Sequence, residues 1–223
     1  PNGINYEEYL ERPRVSRNGD IFIGYMAASS HFKDMIPVVE AMEVLCEKYS
    51  NVYFYLYGMF GEAFEAAAYN VQKILSLHLQ PEKEEQLKSI MEVYNRIKKT
   101  RMIHTPFMPP EIHPSILRSR DFDIGVCPLI DNEFNRGKSC IKFYEYAATG
   151  TVTLASDVLP YSDEVSYRCK NTTEDWVAKL EKLITDPVFR DKLQKEQSEW
   201  VKKNRSIEAI ALPWELACQN PGG

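Results

Sequence analysis

The chain has 223 residues, 44% hydrophobic and 26% charged, a balance ordinary for one large globular domain and incompatible with wholesale disorder. Its net charge of −5 argues against wrapping nucleic acid through bulk electrostatics, while leaving room for a local basic pocket. No run approaches the roughly 18 apolar residues of a membrane span, so membrane association is not indicated.

Residues 1–19 read as a linker-like segment, with the opening Pro1-Asn2-Gly3-Ile4-Asn5 neither an initiating methionine nor a signal peptide; the chain is expected to begin partway along a longer product. Asp20 to Tyr25 is a short apolar run, the mark of a strand covered on both faces. A helix follows, its apolar positions Met35, Ile36, Val39, Met42, Leu45 and Cys46 stepping by three or four. Pro37 demands a helix start close before it, which predicts Asp34 as N-cap. Val52 to Tyr57 is a second strand, ended by Gly58. The span 61–99 is helical, broken near Pro81, and long enough to carry an insertion. Arg101 to Thr105 is a third strand, 110–118 a short helix, and Phe122 to Leu129 a fourth strand. A helix from Ser139 to Thr149 is closed by Gly150 at the left-handed position, with a fifth strand at Val152 to Ala155. Helices over 173–185 and 187–203 complete a domain spanning 20–205. The tail 206–223 (Ile207, Ile210, Leu212, Trp214, Leu216) is apolar enough to pack on another surface, expected on a domain this chain lacks.

Strands alternating with helices at this spacing predict an α/β fold, a Rossmann-like parallel sheet with helices on both faces. In such sheets ligands bind at the carboxyl ends of strands, where helix starts point bare N–H groups into a crevice. Two junctions have matching chemistry. After the first strand, Ser29, Ser30, His31 and Lys33 gather hydroxyls, an imidazole and an ammonium at a helix start. A cation there opposes the helix dipole unless an anion joins it, which points to phosphate. After the fourth strand, Asn135, Arg136, Gly137, Lys138, Ser139 and Lys142 bring three cations and no acid to the next helix start. Ser139 is placed to cap that helix, and Gly137 to let a ligand approach the backbone. Glu145 lies three residues beyond Lys142, on the same face, where a carboxylate can accept from a sugar diol.

Gly137-Lys138-Ser139 is not a P-loop, since the glycine required five positions before Gly137 is Asn132. Cys46, Cys127, Cys140, Cys169 and Cys218 form no CxxC, and the histidines never reach zinc spacing. Reduced thiols in a cytoplasmic protein, without a metal, are the expectation.

With these residues in view, the chain resembles the C-terminal domain of the GT-B glycosyltransferases, in particular the retaining group 1, or family 4, enzymes. The linker-like start, Ile23-Gly24-Tyr25 through Asp34, Asp123 to Leu129, and Lys138 to Gly150 followed by Ala155-Ser156-Asp157 carry the likeness. Nearly the whole chain is covered, and the last two blocks are the most specific. The resemblance implies one half of a GT-B architecture binding a UDP-, GDP- or ADP-sugar as donor substrate, with no other cofactor. Transfer would be metal-independent with retention, beside a preceding acceptor-binding domain. It implies Lys33, Lys138 and Glu145 as the catalytic set, with Lys33 on the diphosphate and Glu145 on the ribose. The family often has a second glutamate eight residues before Glu145. Here that position is Gly137, leaving its role open between Asn135, Lys138 and Glu133, while His31 stands in for a missing arginine. A binding module without catalysis, derived from such an enzyme, is the alternative.

Overall fold

The computed structural model describes residues 2–9, 18–27, 31, 33–58, 88, 91–105, 108–211 and 215. Its strands are β1 (Ile21–Met26), β2 (Val52–Tyr57), β3 (Met102–Thr105), β4 (Ile124–Cys127), β5 (Val152–Ser156) and β6 (Arg168–Cys169). All pair in parallel in the order β3-β2-β1-β4-β5-β6. Chain order reverses between β1 and β4, which opens a crevice at their carboxyl ends.

The helices are α1 (Tyr6–Tyr9), α2 (Ile36–Lys48), α3 (91–97), α4 (His113–Arg120, after a 3-10 turn at Pro110–Ile112), α5 (Glu133–Arg136), α6 (Ile141–Ala148), α7 (Tyr161–Glu164), α8 (Thr173–Thr185) and α9 (Pro187–Arg205). Strand periodicity divides the core: Val52, Phe54 and Leu56 of β2 join α2, α3 and α8 in one cluster. Tyr55 and Tyr57 join α1, α4, α6 and α7 in a second cluster. Helix α9 spans both, giving Leu193 to the first and Val201 to the second. Both faces of the sheet are thus covered, which is why its strands are nearly continuous apolar runs.

At the centre, Gly24 of β1 pairs with Gly125 of β4. A Cβ on Gly24 would lie 2.5 Å from the Phe122 ring, and one on Gly125 2.5 Å from the Tyr146 ring. The two glycines therefore let these rings, edge to face at 6.2 Å, pack directly against the sheet backbone. At the edge, β6 pairs only with Ala155 and Ser156 and leaves Thr153 uncovered. Buried Gln197 of α9 fills that gap: its Oε1 accepts from the Thr153 N–H at 2.7 Å and its Nε2 donates to the Thr153 carbonyl at 2.9 Å.

Several boundaries differ from expectation. The second strand and the helix Thr173–Thr185 fall where predicted, and Gly150 has the positive φ of 75° that closes α6. The fourth strand is shorter, Ile124–Cys127, because Leu129 and its neighbours already serve the crevice. Elements α5, α7 and β6, of four, four and two residues, are too short to leave a periodic signal. Within 61–99, Val93 and Ile97 are buried in the core; the break near Pro81 lies outside the described residues. The start of the tail packs on this chain's own N-terminal segment. Ile4 bridges Ser206 in parallel, donating to the Arg205 carbonyl and accepting from the Ile207 N–H, both at 2.9 Å. Ile210 covers Gly3, while Leu212, Trp214 and Leu216 lie outside the described residues. No helix among the described residues is long and apolar enough to cross a membrane.

Candidate functional site

The turn after β1 and the loop after β4 are tied together by one carboxylate. Buried Asp34 holds His31 Nδ1 at 2.7 Å through Oδ2. Its Oδ1 accepts from the Ile130 N–H at 2.9 Å and from Asn135 Nδ2 at 3.2 Å. Asn135 also donates to the Ile130 carbonyl at 2.8 Å, and its own N–H is received by Asn132, the cap of α5. Behind this, Ser156 Oγ accepts from the Leu129 N–H and Asn171 donates to the Leu129 carbonyl, fixing the exit of β4.

Asp34 is therefore not the helix cap the sequence predicted. Helix α2 starts at Ile36 with Met35 in the cap position and no side-chain cap bond, because Asp34 Oδ1 is committed across the crevice and Oδ2 to His31. Burial opposes ionisation of Asp34, but the His31 bond, the Ile130 N–H and the charges of His31 and Lys138 outweigh it. Its carboxyl is held below the ordinary 3.8. A depressed carboxyl stabilises the fold above its unfolded pKa and loses that contribution as pH falls through the folded value. Asp34→Asn is expected to cost about 2 kcal/mol at pH 7. In urea unfolding the gap between the two proteins should close as pH drops below 3.8; a gap independent of pH would assign the loss to packing.

Lys142, in the first turn of α6, is partly buried with its Nζ 5.5 Å from the centre of the Tyr25 ring. Among the described residues it has no hydrogen-bond or ion-pair partner, so the Lys142–Glu145 pair that its spacing permits does not form. Burial pushes the Lys142 ammonium below its ordinary range, the nearby Lys138 charge adding to this and Cys127, Asp34 and Glu145 opposing it. The fully buried Tyr25 hydroxyl also lacks a hydrogen-bond partner among the described residues. Burial raises the Cys127 thiol to about 12, so it stays protonated and is no nucleophile. Lys138 is partly buried, its Nζ 5.0 Å from the Phe134 ring.

Glu145 sits on the same helix, with Oε1 accepting from Tyr9 Oη at 3.1 Å and lying 3.2 Å from His113 Nε2. His113 Nδ1 is 3.1 Å from the hydroxyl of Tyr57, on whose ring it stacks. Burial, then the Glu145 charge, raises the Tyr9 phenol far above its ordinary range, keeping its proton available for that bond. Oε2 of Glu145 has no hydrogen-bond partner among the described residues. The ensemble is a crevice with a positive floor at the β1–β4 reversal and a clamped carboxylate about one turn away, a match for an anion carrying a hydroxylated ring.

No protein-family model matches the chain, and no curated protein matches it. Solved structures match it in fold. The C-terminal domain of a glycosyl transferase group 1 family protein (LpcC) from Francisella tularensis aligns over 92% of this chain and 100% of its own, with 17% identity and a TM-score of 0.61. Anabaena HepE in complex with UDP-glucose aligns over 97% of this chain and 56% of its own, with 12% identity and a TM-score of 0.67. A UDP-forming trehalose-phosphate synthase from Burkholderia xenovorans aligns over 99% and 51%, with 14% identity and a TM-score of 0.66. The chain has the fold of a GT-B C-terminal half. It spans about half the length of HepE and of the synthase.

Within this GT-B half, the structure brings His31, Asn135, Lys138, Lys142 and Glu145 around one crevice. Lys33 is exposed on the β1–α2 turn. Arg136 turns away, its guanidinium clasping Asp131 at 2.6 and 2.9 Å on the surface. Ser139 does not cap the helix: α6 begins at Ile141 with Cys140 in the cap position and no side-chain cap bond. The Ser139 hydroxyl has no hydrogen-bond partner among the described residues. Gly137 has an ordinary φ of −84°, and a Cβ there would meet only the Phe134 carbonyl, at 3.6 Å. Its value to the site is open space, not backbone freedom. Ser29 and Ser30 lie outside the described residues. Sequence reasoning missed Asp34 as the tie, and Tyr9, Tyr57 and His113 as the surround of Glu145. His113 alone left a signal, a histidine opening the helix after the third strand.

Proposed function

We propose that this chain is the donor-binding half of a glycosyltransferase, taking a nucleotide-sugar at the β1–β4 crevice. The observation that carries the reading is the charge there: Lys142 has no hydrogen-bonded or ion-paired anion among the described residues, while the nearby Asp34 is already committed to His31, Ile130 and Asn135. A buried cation without a counter-ion calls for an anion. Lys138 and Lys142, with exposed Lys33 at the rim, bind the diphosphate, and Glu145 accepts from the ribose diol through Oε2. As the glycosidic bond breaks, charge grows on the departing diphosphate, where fixed cations lower the barrier most effectively. The family likeness adds a metal-independent, retaining transfer and an acceptor-binding domain preceding Pro1. HepE was solved with UDP-glucose, which makes uridine the first base to test.

Calorimetry with UDP, GDP and ADP against the matching nucleosides tests the reading. Lys33→Ala and Lys138→Ala should each weaken diphosphate binding about ten- to a hundredfold, leaving nucleoside binding nearly unchanged. Equal losses for both ligands would make the lysines structural. Glu145→Gln should weaken a ribonucleotide more than its 2′-deoxy analogue, because the carboxamide puts a donor where the diol needs an acceptor. The chain by itself should bind nucleotide without transferring sugar, and efficient transfer by this half alone would overturn the two-half account.

A further inference from the structure

Phe134 is 79% exposed, and exposure by itself carries nothing: Val188 is equally exposed at the start of α9. What separates Phe134 is how rigidly it is held and what stands beside it. Its helix, α5, is capped by Asn132, anchored through Asn135 to Asp34 and the Ile130 carbonyl, and fastened at its end by the Arg136–Asp131 fork. Lys138 Nζ lies over the ring, 5.0 Å from its centroid, and the missing side chain at Gly137 leaves the adjoining space open.

We propose that Phe134 is the platform on which the transferred sugar of the donor rests, so that an aromatic face at this position selects the sugar. The inference rests on the donor-binding reading above. An ammonium reaches a phosphate oxygen at about 2.8 Å, and the sugar follows through a single ester oxygen. A sugar attached to a phosphate held by Lys138 is therefore within reach of the ring. Pyranoses carry a face of C–H groups that packs on an aromatic ring, and the ring's negative face favours those polarised hydrogens. The platform recognises shape and C–H pattern; it needs no carboxylate at position 137 to bind sugar hydroxyls.

The test compares each nucleoside diphosphate with its sugar conjugate on the intact chain: UDP with UDP-glucose, GDP with GDP-mannose, ADP with ADP-glucose. Phe134→Leu, which keeps apolar bulk but removes the π face, should weaken the sugar conjugate about three- to tenfold and the bare diphosphate less than twofold. Phe134→Tyr should restore the wild-type ratio. Proton spectra of the bound conjugate should show ring-current shifts of the sugar C–H signals that vanish in the leucine variant. If the bare diphosphate and its conjugate weaken equally, or the sugar signals do not move, the platform is wrong while the donor site stands. If none of the three diphosphates binds wild-type protein, the donor-binding reading fails and the platform falls with it.

Discussion

Lys142→Met is expected to make the ligand-free protein more stable while removing most of its affinity for a nucleoside diphosphate. The wild-type ammonium is partly buried against the Tyr25 ring, with no ionic partner among the described residues and with burial holding its pKa below the ordinary 10.5. Methionine fills a similar volume without the desolvation penalty, and the gain should be about 1–3 kcal/mol at pH 7. The sign of the pH dependence follows from linkage. Between the lowered folded value and the ordinary one, the unfolded chain binds more protons, so wild-type stability rises with pH across that window. The methionine variant lacks this rise, so its advantage should shrink toward pH 10.5. A bound diphosphate favours the charged lysine, so binding at alkaline pH should take up protons, measurable by calorimetry in buffers of different ionisation heat. Diphosphate affinity of the variant should fall about ten- to a hundredfold. A less stable variant with unchanged affinity would make Lys142 a structural residue and remove the observation on which the donor site rests.

Gln197→Leu should strongly destabilise the fold although the residue lies outside the site. Gln197 is 2% exposed, and its amide acts as the missing strand beside β5, satisfying both the N–H and the carbonyl of Thr153. Leucine leaves two buried backbone groups without partners, each worth about 1–3 kcal/mol, for a total of about 2–6 kcal/mol. Urea unfolding measures the loss, and hydrogen exchange at the Thr153 amide locates it. Gln197→Glu keeps the acceptor for the N–H but puts an acceptor against the carbonyl, so it should not rescue the protein. A loss under about 0.5 kcal/mol, the range of ordinary surface changes, would mean that water replaces the amide at this edge.

The free-thiol expectation meets the structure at four positions. Cys46, Cys127, Cys140 and Cys169 are buried and unpaired by disulfides, and burial raises each of their pKa values. They behave as small apolar residues of the core.

The sequence by itself determined the alternation of strand and helix, and with it the parallel sheet and the crevice at its carboxyl ends. Val52–Tyr57 and the helix Thr173–Thr185 were legible, because an apolar run ended by Gly58 and an amphipathic repeat are local signals. The cluster of cations from Arg136 to Lys142 was legible for the same reason. Only the tertiary structure decided which of those cations serve the crevice. Arg136 is spent on Asp131 five residues away, whereas Lys142 is carried inward by the turn of α6. Asp34 reads as a cap when seen with Pro37, yet its partners Ile130 and Asn135 lie about a hundred residues on, and they outcompete the helix. Tyr9 reaches Glu145 across 136 residues, and Gln197 reaches Thr153 across 44. Periodicity and capping are written in neighbouring residues. A hydrogen bond that closes between distant segments depends on how the sheet stacks them, and no local pattern records it.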